Sequence, residues 1–162
     1  MLKENYVLNT VREELEKGTD PKEIGEWLGI DESTLMSIQL VHETGEKFGN
    51  SLKGHEILNL YRSGLTFNEV SWLKGVTSVA VRLQVNDLTG SKKEDIKAES
   101  KENRKNIKNR ILKRYILDDS EKYGKEEALK RSGYSKAFFN NMYKELKKIY
   151  KPEQEVVSSA ND

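Results

Sequence analysis

The chain has no cysteine among its 162 residues. Without thiolates there is no disulfide framework, no cysteine-based zinc finger, no iron–sulfur site and no thiol nucleophile. Long hydrophobic runs are missing too. Uncharged apolar stretches extend only a few residues, against about 20 needed to cross a bilayer. The opening Met1-Leu-Lys-Glu-Asn5 has no apolar h-region, so no secretory signal is expected. Apolar residues make up 35% of the chain, below the roughly 45–50% of an average globular sequence, a count that includes Gly. These shortages predict a soluble, cytoplasmic protein of small helical units with thin cores and much charged surface, and length allows one or two domains.

A surplus of either charge is also absent, with 28 basic residues, 27 acidic residues and a formal net charge of +1. Taken whole, that number argues mildly against a nucleic-acid partner. It is an average over opposed blocks. Residues 1–90 hold 9 basic and 14 acidic side chains, residues 91–115 hold 10 and 4, and residues 116–162 hold 9 and 9. Such asymmetry bears on partners rather than on fold. Within the basic block Ile107, Ile111, Leu112, Tyr115 and Ile116 recur with helical spacing. One side of that helix is expected to pack on the protein while Arg104, Lys105 and Lys108 face outward, either toward phosphates or simply toward water.

An internal repeat organises the first half. Shifted by 46 residues, Val11 falls on Ile57, Leu15 on Tyr61, Gly18 on Gly64, Glu23 on Glu69, Ile24 on Val70, Gly29 on Gly75 and Ile30 on Val76. Each copy reads as a helix ended by Gly, which takes the left-handed C-cap at little cost. A short second helix follows, introduced by Asp20-Pro21 or by Thr66. Then come a second Gly, an apolar residue and a third helix.

These residues resemble the helix-turn-helix superfamily of DNA-binding proteins, whose pattern of roughly 20 residues places small, Gly and apolar residues at fixed slots. From Pro21, the slots are filled by Ile24, Gly25, Leu28, Gly29, Ile30, Leu35 and Ile38. From Phe67 they hold Val70, Ser71, Gly75, Val76 and Val81, while Lys74 and Gln84 depart from the apolar pattern. The stretch Tyr61–Val70 looks like the lead-in of resolvase-type and sigma-factor-type units. A third candidate, Glu126–Met142, places Gly133, Tyr134, Phe139 and Met142 in register but has Leu129 where a small residue is usual. Its Gly-Tyr-Ser turn resembles units of phage small terminase subunits. The three resemblances cover most of residues 9–148.

The resemblance implies that the third helix of a unit enters the major groove. In the first unit the corresponding slots hold Asp31, Glu32, Ser33, Met36, Ser37 and Leu40. Phosphates would repel the two carboxylates, which are expected to cap their own helix. Packing, dimerisation or partner binding suits this unit better. In the second unit the slots hold Thr77, Ser78, Val79, Arg82, Leu83 and Asn86. Arg82 suits guanine and the hydroxyls of Thr77 and Ser78 suit phosphate, but Val79 and Leu83 are awkward there. Val79–Val85 also alternates with period two, so a short strand and a helix apolar on two sides both fit. In the third unit the slots hold Ser135, Lys136, Ala137, Asn140, Asn141 and Lys144, a set suited to adenine edges and phosphates. A solvated lysine-rich face is the alternative.

No phosphate-loop motif and no GxGxxG in a strand–helix context occurs. His42 and His55 lie 13 residues apart without metal-site spacing. Glu13, Glu14 and Glu16 read as an exposed helix end, and Trp27 and Trp72 as core anchors. No catalytic residue, metal or cofactor is expected.

The expected fold is all-α, with tandem helix-turn-helix units over 1–43 and 52–88, a basic helix with a third unit over 101–150, and a disordered tail over 151–162. Short linkers join them, one at Glu43–Ser51 and one at Asn86–Ser100. The expected function is non-enzymatic, sequence-specific binding of double-stranded DNA, as a transcriptional regulator of a bacterium, phage or mobile element. Two alternatives stand beside it. One is a protein-interaction module that binds a polymerase or recombination component. The other is a DNA-recruiting subunit of a phage packaging or recombination machine. The acidic N-terminal units are the expected contact for a protein partner or a second copy of the chain, and no membrane association is expected.

Overall fold

The computed structural model describes residues 3–150. The tail expected over 151–162 lies outside the described residues. Among the described residues every regular element is helical, and no helix is long and apolar enough to cross a membrane. The chain forms two compact units, Leu2–Lys108 and Asn109 onward.

The first unit contains α1 (Tyr6–Glu16), α2 (Pro21–Leu28), α3 (Glu32–Thr44), α4 (Gly54–Arg62), α5 (Phe67–Lys74), α6 (Ser78–Thr89) and most of α7 (Lys93–Leu112). The repeat is visible in the helix starts: Pro21 and Phe67, then Glu32 and Ser78, are each separated by the 46-residue shift. Local chemistry sets these boundaries. Asp20 accepts a hydrogen bond from the Lys22 backbone N–H at 2.9 Å, with Pro21 at the first helical position. In the second copy Thr66 and Glu69 form a capping box. Gly29 (φ 70°) and Gly75 (φ 82°) end α2 and α5 in the left-handed region.

The core gathers Val7, Leu8 and Val11 from α1, Ile24, Leu28, Leu35 and Ile38 from the first copy, and Ile57, Leu60, Val70, Leu73, Val81 and Val85 from the second. Each such side chain contributes about 1.5–3 kcal/mol when fully buried. The Val79–Val85 segment is helical, as part of α6, and not a strand. The Thr77 hydroxyl accepts from the Ala80 N–H at 3.2 Å and starts the helix, and Val81 and Val85 share its buried face.

Of the linker expected over Asn86–Ser100, residues 86–89 belong to α6 and residues 93–100 to the 20-residue helix α7. Glu94 and Asp95 lie in its first turn, where negative charge favours a helix, and Ile96 and Ser100 are buried. The backbone of α7 passes close to Gly64. A Cβ on Gly64 would lie 3.0 Å from the Arg104 nitrogen and 3.2 Å from its Cα, and its φ of +116° suits only glycine.

The second unit holds the end of α7, a π-helical turn over Lys113–Asp118, α8 (Asp119–Tyr123), α9 (Lys125–Ser132) and α10 (Lys136–Tyr150). The π turn widens the helix, and Ile116 and Leu117 are both buried there. With Ile111, Leu112, Ala128, Phe139 and Leu146 they make this unit's core.

Candidate nucleic-acid interface

In the second unit, α9 and α10 meet at Gly133, which has φ 72°. The Ser132 hydroxyl donates to the Leu129 carbonyl at 2.8 Å and accepts from the Tyr134 N–H at 3.1 Å, which closes the turn. The Ser135 hydroxyl then accepts from the Phe138 N–H at 3.3 Å, at the start of α10. Phe139 and Leu146 turn into the core. Asn140, Asn141, Lys144 and Lys148 therefore fall on the other side, spaced so that they share a helix face, with Lys136 at its edge one turn before Phe139. Lys136, Asn141, Lys144 and Lys148 are exposed and Asn140 is half-exposed.

The positive charge on that face has little internal compensation. Lys148 lies 3.8 Å from Glu145, both well exposed, and such a pair contributes little. Lys125 and Lys147 sit 4.1 and 5.4 Å from the centre of the Tyr143 ring. Together with Asn141, Lys144, Lys148 and one carboxylate, Glu145, they line an open hollow of about 500 Å³. The arrangement offers cationic heads to a polyanion and amide groups to an edge that can both donate and accept.

The remaining residues singled out in the sequence belong to the first unit. Lys105 is exposed and Lys108 half-buried on α7. Arg104 departs from the expected outward face. It pairs with the buried Glu69 at 2.6 Å, donates to the Gly64 carbonyl at 3.2 Å and to the Glu4 carbonyl, and lies 4.1 Å from the Tyr6 ring centre. Burial raises the Tyr6 phenol above its ordinary pKa, with Arg104 opposing the rise and Glu69 adding to it. The helical spacing placed Arg104 beside Lys105 and Lys108, but a one-dimensional pattern does not show the carboxylate that draws it inward.

On α6, the Thr77 hydroxyl is engaged as the helix cap, Ser78 is half-buried and Arg82 is exposed. Val79 and Leu83 are exposed on the same helix, at 53% and 54%. On α3 the leading edge is occupied from within. Asp31 accepts from the Thr34 N–H at 3.2 Å, the Thr34 hydroxyl at 2.8 Å and the Ser33 hydroxyl at 2.6 Å. Asn59 of α4 reaches Ser33, and Thr34, fully buried, reaches Ser63.

Burial alone would raise the Asp31 pKa, but hydrogen bonds from Ser33, Thr34 and Asn59 outweigh it and hold it below 3.8. A depressed pKa contributes stability that is present above the unfolded value and lost as pH falls through the folded one. Asp31→Ala should therefore cost about 1 kcal/mol at neutral pH. The gap to the parent in urea denaturation should narrow below pH about 4; a gap independent of pH would contradict this account.

Four other side chains behave differently from expectation or from their type. Trp27 and Trp72 are both half-buried rather than core anchors, and Trp72 has Lys47 and Arg12 at 3.7 and 4.7 Å from its ring centre. Glu14 is buried and accepts from the Thr19 hydroxyl at 2.7 Å. His42 accepts from Arg12 at 3.2 Å through Nδ1. Sequence reading missed Glu69, although the repeat aligned it with Glu23. The capping spacing Thr66-x-x-Glu69 was the available signal.

Compared with known proteins, the chain matches no family model, no curated protein and no solved structure.

Proposed function

We propose that the chain is a non-enzymatic, sequence-specific DNA-binding protein, a transcriptional regulator of a bacterium, phage or mobile element, in which α9, Gly133 and α10 act as a helix-turn-helix. The supporting observation is the face of α10, where Asn140, Asn141 and Lys144 stand together away from Phe139 and Leu146, with Lys136 at the edge of that face. In this reading α10 lies in the major groove. Asn140 and Asn141 meet adenine edges in the bidentate manner, and the lysines meet phosphates on either side. The other two third helices suit the role less well. The start of α3 is closed by Asp31 and α4, and α6 presents Val79 and Leu83 beside Arg82.

The test begins with selection of bound fragments from random duplex DNA, followed by fluorescence anisotropy of the enriched duplex against random duplex at several salt concentrations. Asn140→Ala should lower the preference by about 1–3 kcal/mol at one base position. Lys144→Ala should weaken binding to all duplexes and reduce the salt slope by about 1. A sequence preference that survives Lys136→Ala and Asn140→Ala together would refute the assignment to α10.

A second reading is favoured by a groove of about 570 Å³ between α2 and α3. Met36, 58% exposed, lies on its wall, and Asp20, Glu26 and Glu32 stand around it with one cation, Lys22. Apolar surface rimmed by acids suits a protein segment with basic and apolar side chains. In that reading the chain couples DNA to a polymerase or recombination component. Met36→Lys should then abolish partner binding and leave duplex affinity unchanged.

A further inference from the structure

Between α4, α5, α6 and the start of α7, the first unit contains a cleft of about 230 Å³. Arg82, Lys93 and Lys97 line it, and no acidic side chain does. Tyr61 and Phe67, also in its lining, are stacked with ring centres 5.0 Å apart and planes 14° from parallel. Asn86 adds an amide. A second hollow of about 440 Å³ shares Phe67 and Arg82 and is lined further on by Asn68, Ser78 and Glu4.

This grouping is a local excess of positive charge on the surface of the unit. Three cations face one cleft, and none of them forms an ion pair with a described residue. Like charges gathered at a concave, partly apolar surface focus potential and attract an anion. A phosphate monoester carries about −1.5 to −2 at neutral pH, which matches three cations better than the single charge of a phosphodiester. Ligand pockets are usually about 300–1,000 Å³, so the cleft alone suits a phosphate and its sugar. A planar ring would extend past Phe67 into the shared hollow, against aromatic surface that favours stacking.

From this cleft we infer a binding site for a free nucleoside 5′-monophosphate in the first unit: Arg82, Lys93 and Lys97 hold the phosphate, and the Tyr61–Phe67 pair flanks the sugar and base. The site is independent of the α10 reading, and it gives the protein a small-molecule ligand besides any macromolecular partner.

The test is titration of the ¹⁵N-labelled full-length chain with AMP, adenosine, inorganic phosphate and a short oligonucleotide without a terminal phosphate, followed by amide shifts. AMP should give saturable shifts centred on Tyr61, Phe67, Arg82, Lys93 and Lys97, and adenosine should give none. Inorganic phosphate should bind more weakly at the same amides. Lys93→Gln with Lys97→Gln, both on the surface, should keep the parent's thermal midpoint and weaken AMP binding about a hundredfold, roughly tenfold for each of the two lost charge-assisted contacts. Failure of AMP to saturate, adenosine or phosphate binding as tightly as AMP, displacement of AMP by the oligonucleotide mole for mole, or an unchanged affinity in the double variant would each overturn the inference. Loss of duplex binding in α10 variants would leave AMP binding intact, so the two readings fail separately.

Discussion

Glu69→Ala should destabilise the Leu2–Lys108 unit by about 3–5 kcal/mol, the cost of leaving one partner of a buried ion pair uncompensated. The Glu69 carboxylate is fully buried. One oxygen accepts from the Leu8 N–H at 2.6 Å, one of the orphan donors in the first turn of α1. The other accepts from the Thr66 N–H at 2.9 Å, the Thr66 hydroxyl at 3.1 Å and Arg104 at 2.6 Å. A single side chain thus caps α5, ties the start of α1 and neutralises a guanidinium on α7. Its removal strands all of those donors at once. Arg104→Ala should cost less, because Glu69 keeps its three neutral donors. The double variant should lose less than the sum of the two, with a coupling of about 0.5–3 kcal/mol. Both tryptophans, Trp27 and Trp72, lie in this unit, so their emission during urea unfolding reports its stability directly. A loss under about 1 kcal/mol for Glu69→Ala would show that the buried pair contributes nothing beyond a surface one.

The same carboxylate shows where sequence reading reaches its limit. The all-α class, the capped starts of α2 and α5 and the left-handed turns at Gly29, Gly75 and Gly133 were legible because each is set by residues within one or two turns of chain. The 46-residue shift carried this local information from one copy to the other. Contacts made across long separations were not legible. Arg104 looks like one of a row of outward cations until Glu69, 35 residues earlier, is placed beside it. The segment from Lys93 to Ser100 looked like linker because Ile96 is the one apolar residue on its buried face, beside the polar Ser100. Its helix depends on tertiary burial and on the acidic first turn rather than on an apolar stripe. For α6, the period-two pattern of Val79–Val85 was ambiguous, and the Thr77 cap together with the burial of Val81 and Val85 explains why it is helical. The candidate face of α10 was legible as a set of residue types. Its clustering of Lys125 with Lys144, Lys147 and Lys148 around Tyr143 depends on how α9 folds back, which no local spacing gives.

Phe139→Ala is expected to remove duplex binding without touching any residue of the proposed interface. Phe139 is 1% exposed, the bulkiest member of a core otherwise made of Ile111, Leu112, Ile116, Leu117, Ala128 and Leu146. Truncating a buried Phe costs about 3–5 kcal/mol through lost transfer energy and the cavity left behind. A unit of about 40 residues buries too little surface to absorb such a loss. Without that side chain α10 is no longer held against α9, and Lys136, Asn140, Asn141 and Lys144 lose their shared orientation. The unit has no tryptophan, so the variant should lose helical signal in far-ultraviolet circular dichroism at low denaturant while the tryptophan transition of the Leu2–Lys108 unit keeps its parent midpoint. Hydrogen exchange should speed up at the amides of α9 and α10 and stay slow in α2 and α5. Phe139→Leu, which retains most of the volume, should restore both the helical signal and the binding. Duplex affinity equal to the parent's in Phe139→Ala, in a sample whose α9 and α10 amides exchange freely, would place the DNA contact outside this unit and remove the structural basis for assigning it to α10.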